Sequence, residues 1–132
     1  KGAQVLKEMG AGDRAIFVAG DVMKQADVEG FVDHVVQHFG TIDILVNNAG
    51  GAGDLQPLVN LSDEAFDEAM KWNVYSTFWA TRRALKTMIA NKTGRIINMS
   101  SDAAFVGDTS FDVGAARAAG ARRRPAAPTP SR

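Results

Sequence analysis

Apolar residues along this chain fall into two arrangements, and each predicts a different element. Val5, Leu6 and Met9 share one face at helical spacing, and Gly10 and Gly12 end that helix. Ala15-Ile16-Phe17-Val18-Ala19 is a short unbroken apolar run, which predicts a strand buried on both faces, closed by Gly20-Asp21. From about Lys24 to Phe39, the residues Val28, Phe31, Val32, Val35, Val36 and Phe39 return every three or four positions. They predict a second helix, capped by Gly40. Ile42-Asp43-Ile44-Leu45-Val46 reads as another buried strand and runs into Asn47-Asn48-Ala49-Gly50.

A loop from Gly51 to Asn60 separates this strand from a third helix. Ser62 has the position of an N-cap, with Asp63 and Glu64 in the positive first turn. Leu61 and Phe66 have the spacing of a hydrophobic staple. The helix is expected to run to about Ala90, an unusual length. Its apolar positions, Phe66, Met70, Val74, Phe78, Leu85 and Met88, spread over a broad stripe, and Trp72 and Trp79 lie off its centre. A core on one side and a partner subunit on the other would account for that breadth. Arg95-Ile96-Ile97-Asn98-Met99 predicts a third strand, ending in Ser100-Ser101. Helices and strands thus alternate, which argues for an α/β fold with a parallel sheet between helical layers. Right-handed crossovers place the carboxyl ends of all strands on one edge, where ligands bind in open α/β sheets.

Composition limits the classes. The 132 residues are 45% hydrophobic, which suits a globular chain. No apolar run approaches the roughly 20 residues of a membrane span, so no membrane partner is expected. Residues 1–10 do not read as a secretory leader, and the expected compartment is the cytoplasm. There is no cysteine, which excludes disulfides and thiolate metal sites. Net charge is zero but uneven. Every Asp and Glu lies at or before Asp112, and five of the fifteen Lys and Arg residues follow it, so the first 112 residues carry −5 and the remainder +5. Residues 1–113 are expected to form the folded domain, and the Ala-, Arg- and Pro-rich residues 114–132 a disordered tail.

The polar clusters recur in one place. Asp21 follows the first apolar run, Asn47 to Gly50 the second and Ser100-Ser101 the third. Ala49 and Gly50 are small enough for backbone to approach a flat ligand. A carboxylate such as Asp21 can accept from an amino group, and a serine hydroxyl can donate to a carbonyl oxygen. Plainer readings stand beside these. Asp21 also suits a helix N-terminus, Ser100-Ser101 a solvated turn, and Asn73 an ordinary helix position.

Taken together, Gly20-Asp21-Val22, Leu45-Val46-Asn47-Asn48-Ala49-Gly50, Trp72-Asn73-Val74 and Gly94 to Ser101 resemble the short-chain dehydrogenase/reductase family. The resemblance covers residues 1 to about 119. It implies a partial Rossmann-like, doubly wound parallel sheet in three α/β/α layers, with the family's first and second strands missing from these residues. It also implies an oxidoreductase that interconverts an alcohol and a carbonyl with NAD or NADP, without showing which. Asp21 and Val22 would hold the adenine, and Asn47, Asn48, Ala49 and Gly50 would line the cofactor. Asn73 would anchor a water in a proton relay, partly by distorting its helix. Ser101 would bind the substrate oxygen. A homo-oligomer through the 62–90 helix would fit the family.

Two departures accompany the resemblance. Position 114, thirteen residues after Ser101, carries glycine where the family has its catalytic tyrosine, and Arg117 stands in place of the lysine. One tyrosine between Val113 and Gly114 would restore the spacing. Arginine keeps the charge but not the shape or hydrogen bonding of lysine. Without the phenol the proton transfer lacks its usual acid/base, so the chain is expected to be inactive. The family's Gly-rich pyrophosphate turn is also absent from these residues, and Gly50-Gly51-Ala52-Gly53 does not replace it, because no helix opens directly on it. The remaining features read as structural. His34 and His38 lie one turn apart without a third ligand, so no metal site is expected. Asn91-Lys92-Thr93 is a sequon without a secretory context. Nucleic-acid binding by the arginine tail is not favoured, because the tail has no interleaved aromatics. A non-enzymatic interaction or dimerisation module is the competing reading.

Overall fold

Short-range signals form their elements much as the pattern dictates. The computed structural model describes residues 1–51, 53 and 56–100. Helix α1 spans Gly2–Met9 and ends on Gly10, whose left-handed backbone (φ 57°) lets its N–H donate to the Lys7 carbonyl. Helix α2 spans Gln25–Phe39 and ends on Gly40, also left-handed (φ 78°), whose N–H donates to the Val36 carbonyl. Strand β1 is Ile44–Asn47 and strand β2 is Arg95–Asn98. Helix α3, Asp63–Met70, opens on Ser62, whose Oγ accepts from the Ala65 N–H at 3.2 Å. A π-helical turn over Lys71–Tyr75 joins it to helix α4, Ser76–Asn91. The expected long helix is therefore two α-helical segments about one wide turn, and that turn contains Asn73, where the family resemblance implies a distortion.

The two strands are parallel, with Ile44 opposite Arg95 and Asn47 opposite Asn98. Leu45 and Ile96 face the helices and join a core of Val32, Ile42, Ala84 and Met88, with Val35 and Val36 beside it. That core seats α2 and α4 on one face of the sheet. On the opposite face Ile44, Val46 and Ile97 stay exposed (62%, 52% and 47%). A helical layer over that second face, expected from the doubly wound pattern, is not seen among the described residues.

The apolar run 15–19 departs from expectation. It forms no strand, and Phe17 is 49% exposed. The physical reason is non-local: a strand exists only by pairing, and no described residue pairs with this run. The sheet is thus two-stranded rather than three-stranded among the described residues. The parallel α/β architecture itself is as expected. Residues Lys1–Met99 form one unit, and a second runs over Ser100–Arg132, of which Ser100 alone is described. Ser101, Arg117 and the 114–132 tail therefore lie outside the described residues.

Candidate functional site

Beside the carboxyl-terminal end of β1 the chain encloses a cavity of about 220 Å³. Its walls include Val22 and Phe31 on one side, Val46, Asn47, Asn48 and Ala49 at the strand end, and Ser76 and Thr77 from α4. The two α4 hydroxyls are turned away from it in their bonding. Ser76 Oγ donates to the Trp72 carbonyl at 2.6 Å, and Thr77 Oγ1 donates to the Asn73 carbonyl at 3.1 Å. The cavity therefore offers a mainly apolar slot with polar groups at its rim.

Val22 lines the cavity, and Asp21 precedes it in the chain. The Asp21 carboxylate accepts from the Met23 N–H at 2.9 Å and lies 3.7 Å from Lys24 Nζ. Its side chain is still 47% exposed. Among the described residues nothing accepts from the Val22 N–H. A carboxylate acceptor thus stands beside a backbone donor, the pairing that an aminopurine edge requires.

Asn47 is tied inward. Its Nδ2 donates to Asn98 Oδ1 at 2.8 Å and to Thr81 Oγ1 at 3.2 Å. One amide therefore links the ends of both strands and α4 at the edge where β1 and β2 finish. The contributions of Thr81 and Asn98 were not foreseen. The available signal was that both strands end on asparagine, in register across the sheet.

Asn73 lies inside the π-helical turn and holds the loop that follows β1. The Gly51 N–H donates to Asn73 Oδ1 at 3.0 Å, and Asn73 Nδ2 donates to the Gly51 carbonyl and the Ala69 carbonyl, each at 2.9 Å. A side chain that bonds backbone in this way competes with the regular helix ladder. The wide turn at this place is a known consequence of such an insertion. The glycines leave room for side chains of the π-helical turn. A Cβ on Gly50 would sit 2.6 Å from Asn73 Oδ1, and one on Gly51 would sit 2.6 Å from the end of the Trp72 ring. The Asn-Asn-Ala-Gly run and Asn73 are one assembly, although 22 residues separate Gly51 from Asn73.

Other candidates fall away from this edge. His34 Nδ1 donates to the Gly30 carbonyl and His38 Nε2 to the Asp13 carbonyl. Tyr75 packs against Trp79, ring centres 5.8 Å apart. Arg82 and Arg83 clip α4 to α2 through Glu29 and Asp33, at 2.9 Å and 2.6 Å.

Residues 1–122 match the sequence model described as short chain dehydrogenase. The chain belongs to that family. The match crosses the change of composition at residue 113. This short-chain dehydrogenase chain is 42% identical over 91 residues to 3beta-hydroxysteroid dehydrogenase 2 of Eggerthella lenta, covering 68% of its own length and 35% of the relative's. Among solved structures, an actinorhodin polyketide ketoreductase with NADPH superposes with a TM-score of 0.73 at 31% identity, over 88% of this chain and 45% of that one. An NAD+-bound xylitol dehydrogenase gives 0.64 at 33% identity, over 77% and 41%. The chain spans 35 to 39% of the length of the curated relatives it matches.

Proposed function

We propose that residues 21–22 and 47–50 are the adenine-side half of an NAD(P) site in an oxidoreductase that interconverts an alcohol and a carbonyl. The observation that carries this reading is the apolar cavity between Val22 and Asn47-Asn48-Ala49, with the half-exposed Asp21 carboxylate next to Val22 in the chain and a Val22 N–H that no described residue accepts. These residues suit the group. A flat ring would slide between Val22 and Ala49, its amino group donating to Asp21 and a ring nitrogen accepting from Val22. Solved relatives bound to NADPH and to NAD+ support either dinucleotide. When bound, the nicotinamide end supplies hydride acceptance or donation. The chain's own part at the described edge is to orient: Asn73 fixes the backbone of Gly51, and Asn47 fixes the strand ends. Ser101 would hold the substrate oxygen and Arg117 would supply the positive charge that lysine supplies in the family.

The proton step is the weak link. Gly114 stands where the acid/base tyrosine belongs, and Tyr75 is engaged with Trp79 in the π-helical turn. We therefore read the chain as a dehydrogenase by descent that binds nucleotide and turns over little or nothing. The test is NAD(P)H consumption by the purified 132-residue chain with a panel of aldehydes and ketones. Absent turnover is expected, and robust turnover abolished by Ser101→Ala would overturn the reading.

A second reading has its own observation. Phe66, Val74, Phe78 and Ile89 lie along α3, the π-helical turn and α4 with exposures of 52%, 46%, 52% and 70%. Such a stripe suits a second copy of the chain, which would make the segment 62–90 a dimerisation surface. Sedimentation at several concentrations separates the cases. A concentration-independent monomer would exclude dimerisation.

A further inference from the structure

The Asp21–Val22 turn has little holding it. The run before it has no strand partner among the described residues, and the bonds inside the turn are short-range: Met23 N–H to Asp21 Oδ1 and Lys24 N–H to the Asp21 carbonyl at 3.0 Å. The start of the turn is tied to the first turn of α2 by Asp27, whose Oδ2 accepts from the Asp21 N–H at 2.8 Å. The residue before the turn rests on the same face of α2. A Cβ on Gly20 would lie 2.7 Å from the Phe31 ring and 3.2 Å from Asp27 Cβ. Phe31 also walls the cavity. Backbone position at Asp21 is therefore set by a side chain one helical turn away from the ring that walls the slot.

We propose that Asp27 is a positioning residue for nucleotide recognition. It acts through Asp21 and touches no ligand itself. By holding the Asp21 amide, it keeps the carboxylate and the Val22 N–H pointed as an acceptor–donor pair for an aminopurine edge. This rests on the adenine-side reading above. A charged acceptor is stronger than a neutral one, but the geometry needs only an oxygen at that place. Asparagine can supply it and alanine cannot.

The experiment follows amide resonances of the ¹⁵N-labelled 132-residue chain during titration with AMP. In the parent chain AMP should shift Val22, Asn48 and Ala49. Asp27→Ala should expose the Asp21 amide to exchange and weaken AMP by about tenfold, the scale of one lost charge-assisted bond. Asp27→Asn should restore the protection of Asp21 and return AMP affinity to within about threefold of the parent, as expected if a neutral acceptor replaces a charged one. An Asp27→Ala chain that binds AMP within about twofold of the parent would overturn the proposal, because no bond of that size would then be at stake. So would Asp27→Ala and Asp27→Asn failing alike with a shared loss of thermal stability, which would mark Asp27 as merely structural. A parent chain that shows no AMP shifts at Val22, Asn48 or Ala49 removes the adenine-side reading first, and this inference with it.

Discussion

Replacing Asn73 by alanine isolates the contact on which the candidate site depends. The change removes the two bonds to Gly51 and the one to the Ala69 carbonyl. A net intramolecular hydrogen bond contributes about 0.5–1.5 kcal/mol, and Asn73 is exposed, so the low end applies to each. Three such bonds come to about 1.5–2 kcal/mol. Alanine returns up to about 0.7 kcal/mol, because it is the better helix former and no longer competes with the ladder. The net loss expected is about 1 kcal/mol, which for a unit of this size lowers Tm by roughly 4–8 °C. Two assays read it together. Circular dichroism gives the Tm, and hydrogen exchange gives the protection of the Gly51 amide. The variant should expose Gly51 while leaving amides of α2 protected. A Gly51 amide equally protected in both chains would refute the reasoning, as would a rise in Tm equal to the propensity gain alone.

Three further outcomes are expected. Met88, 5% exposed in the core with Val32, Ile42 and Ala84, should cost about 2–3 kcal/mol when replaced by alanine, read by urea unfolding; a cost below about 1 kcal/mol would contradict the core assignment. The Arg82 guanidinium donates to Glu29 and holds its carboxyl below the ordinary value, with a second bond from Gln25 acting the same way. A lowered folded pKa makes the contribution present above the ordinary glutamate range and lost as pH falls through the lowered value, so stability should decline on acidification through and below the ordinary glutamate range. Arg82→Ala should flatten that part of the decline, slightly, because the pair is at the surface; identical pH profiles would remove Glu29 from the account. Finally, the exposed sheet face of Ile44, Val46 and Ile97 and the β1 edge, unpaired among the described residues, invite association. Ile44→Lys with Val46→Lys should raise the soluble fraction, and unchanged pelleting would place the sticky surface elsewhere.

What the sequence made legible, and what it did not, follows range. Helix α2 was readable because Val28, Val32, Val35 and Val36 repeat locally and Gly40 stops them. The N-cap at Ser62 is equally local. The run 15–19 misled because apolar character is local but pairing is not, and no described residue pairs with it. The π-helical turn left no trace in the apolar stripe; the family resemblance implied a distortion at Asn73, whose side chain bonds a glycine 22 residues away. The Asn47–Thr81–Asn98 link spans 34 and 51 residues and was invisible for the same reason. Asp21 and Asn47 stood out as polar residues after apolar runs, but their roles, and Asn73 altogether, came only through the family resemblance. Val22, Asn47, Asn48 and Ala49 line one cavity, and Asn73 stands behind the loop rather than in the slot.

The central claim is that the edge formed by Asp21, Val22 and Asn47 to Ala49 takes the adenine end of a dinucleotide. Titration of the labelled chain with NADH and with NADPH tests it most directly, resonance by resonance. Shifts confined to Val22, Asn48, Ala49 and their neighbours, weakened by Asp21→Ala, are the predicted result. No shifts at that edge, or shifts that Asp21→Ala leaves unchanged, would contradict it.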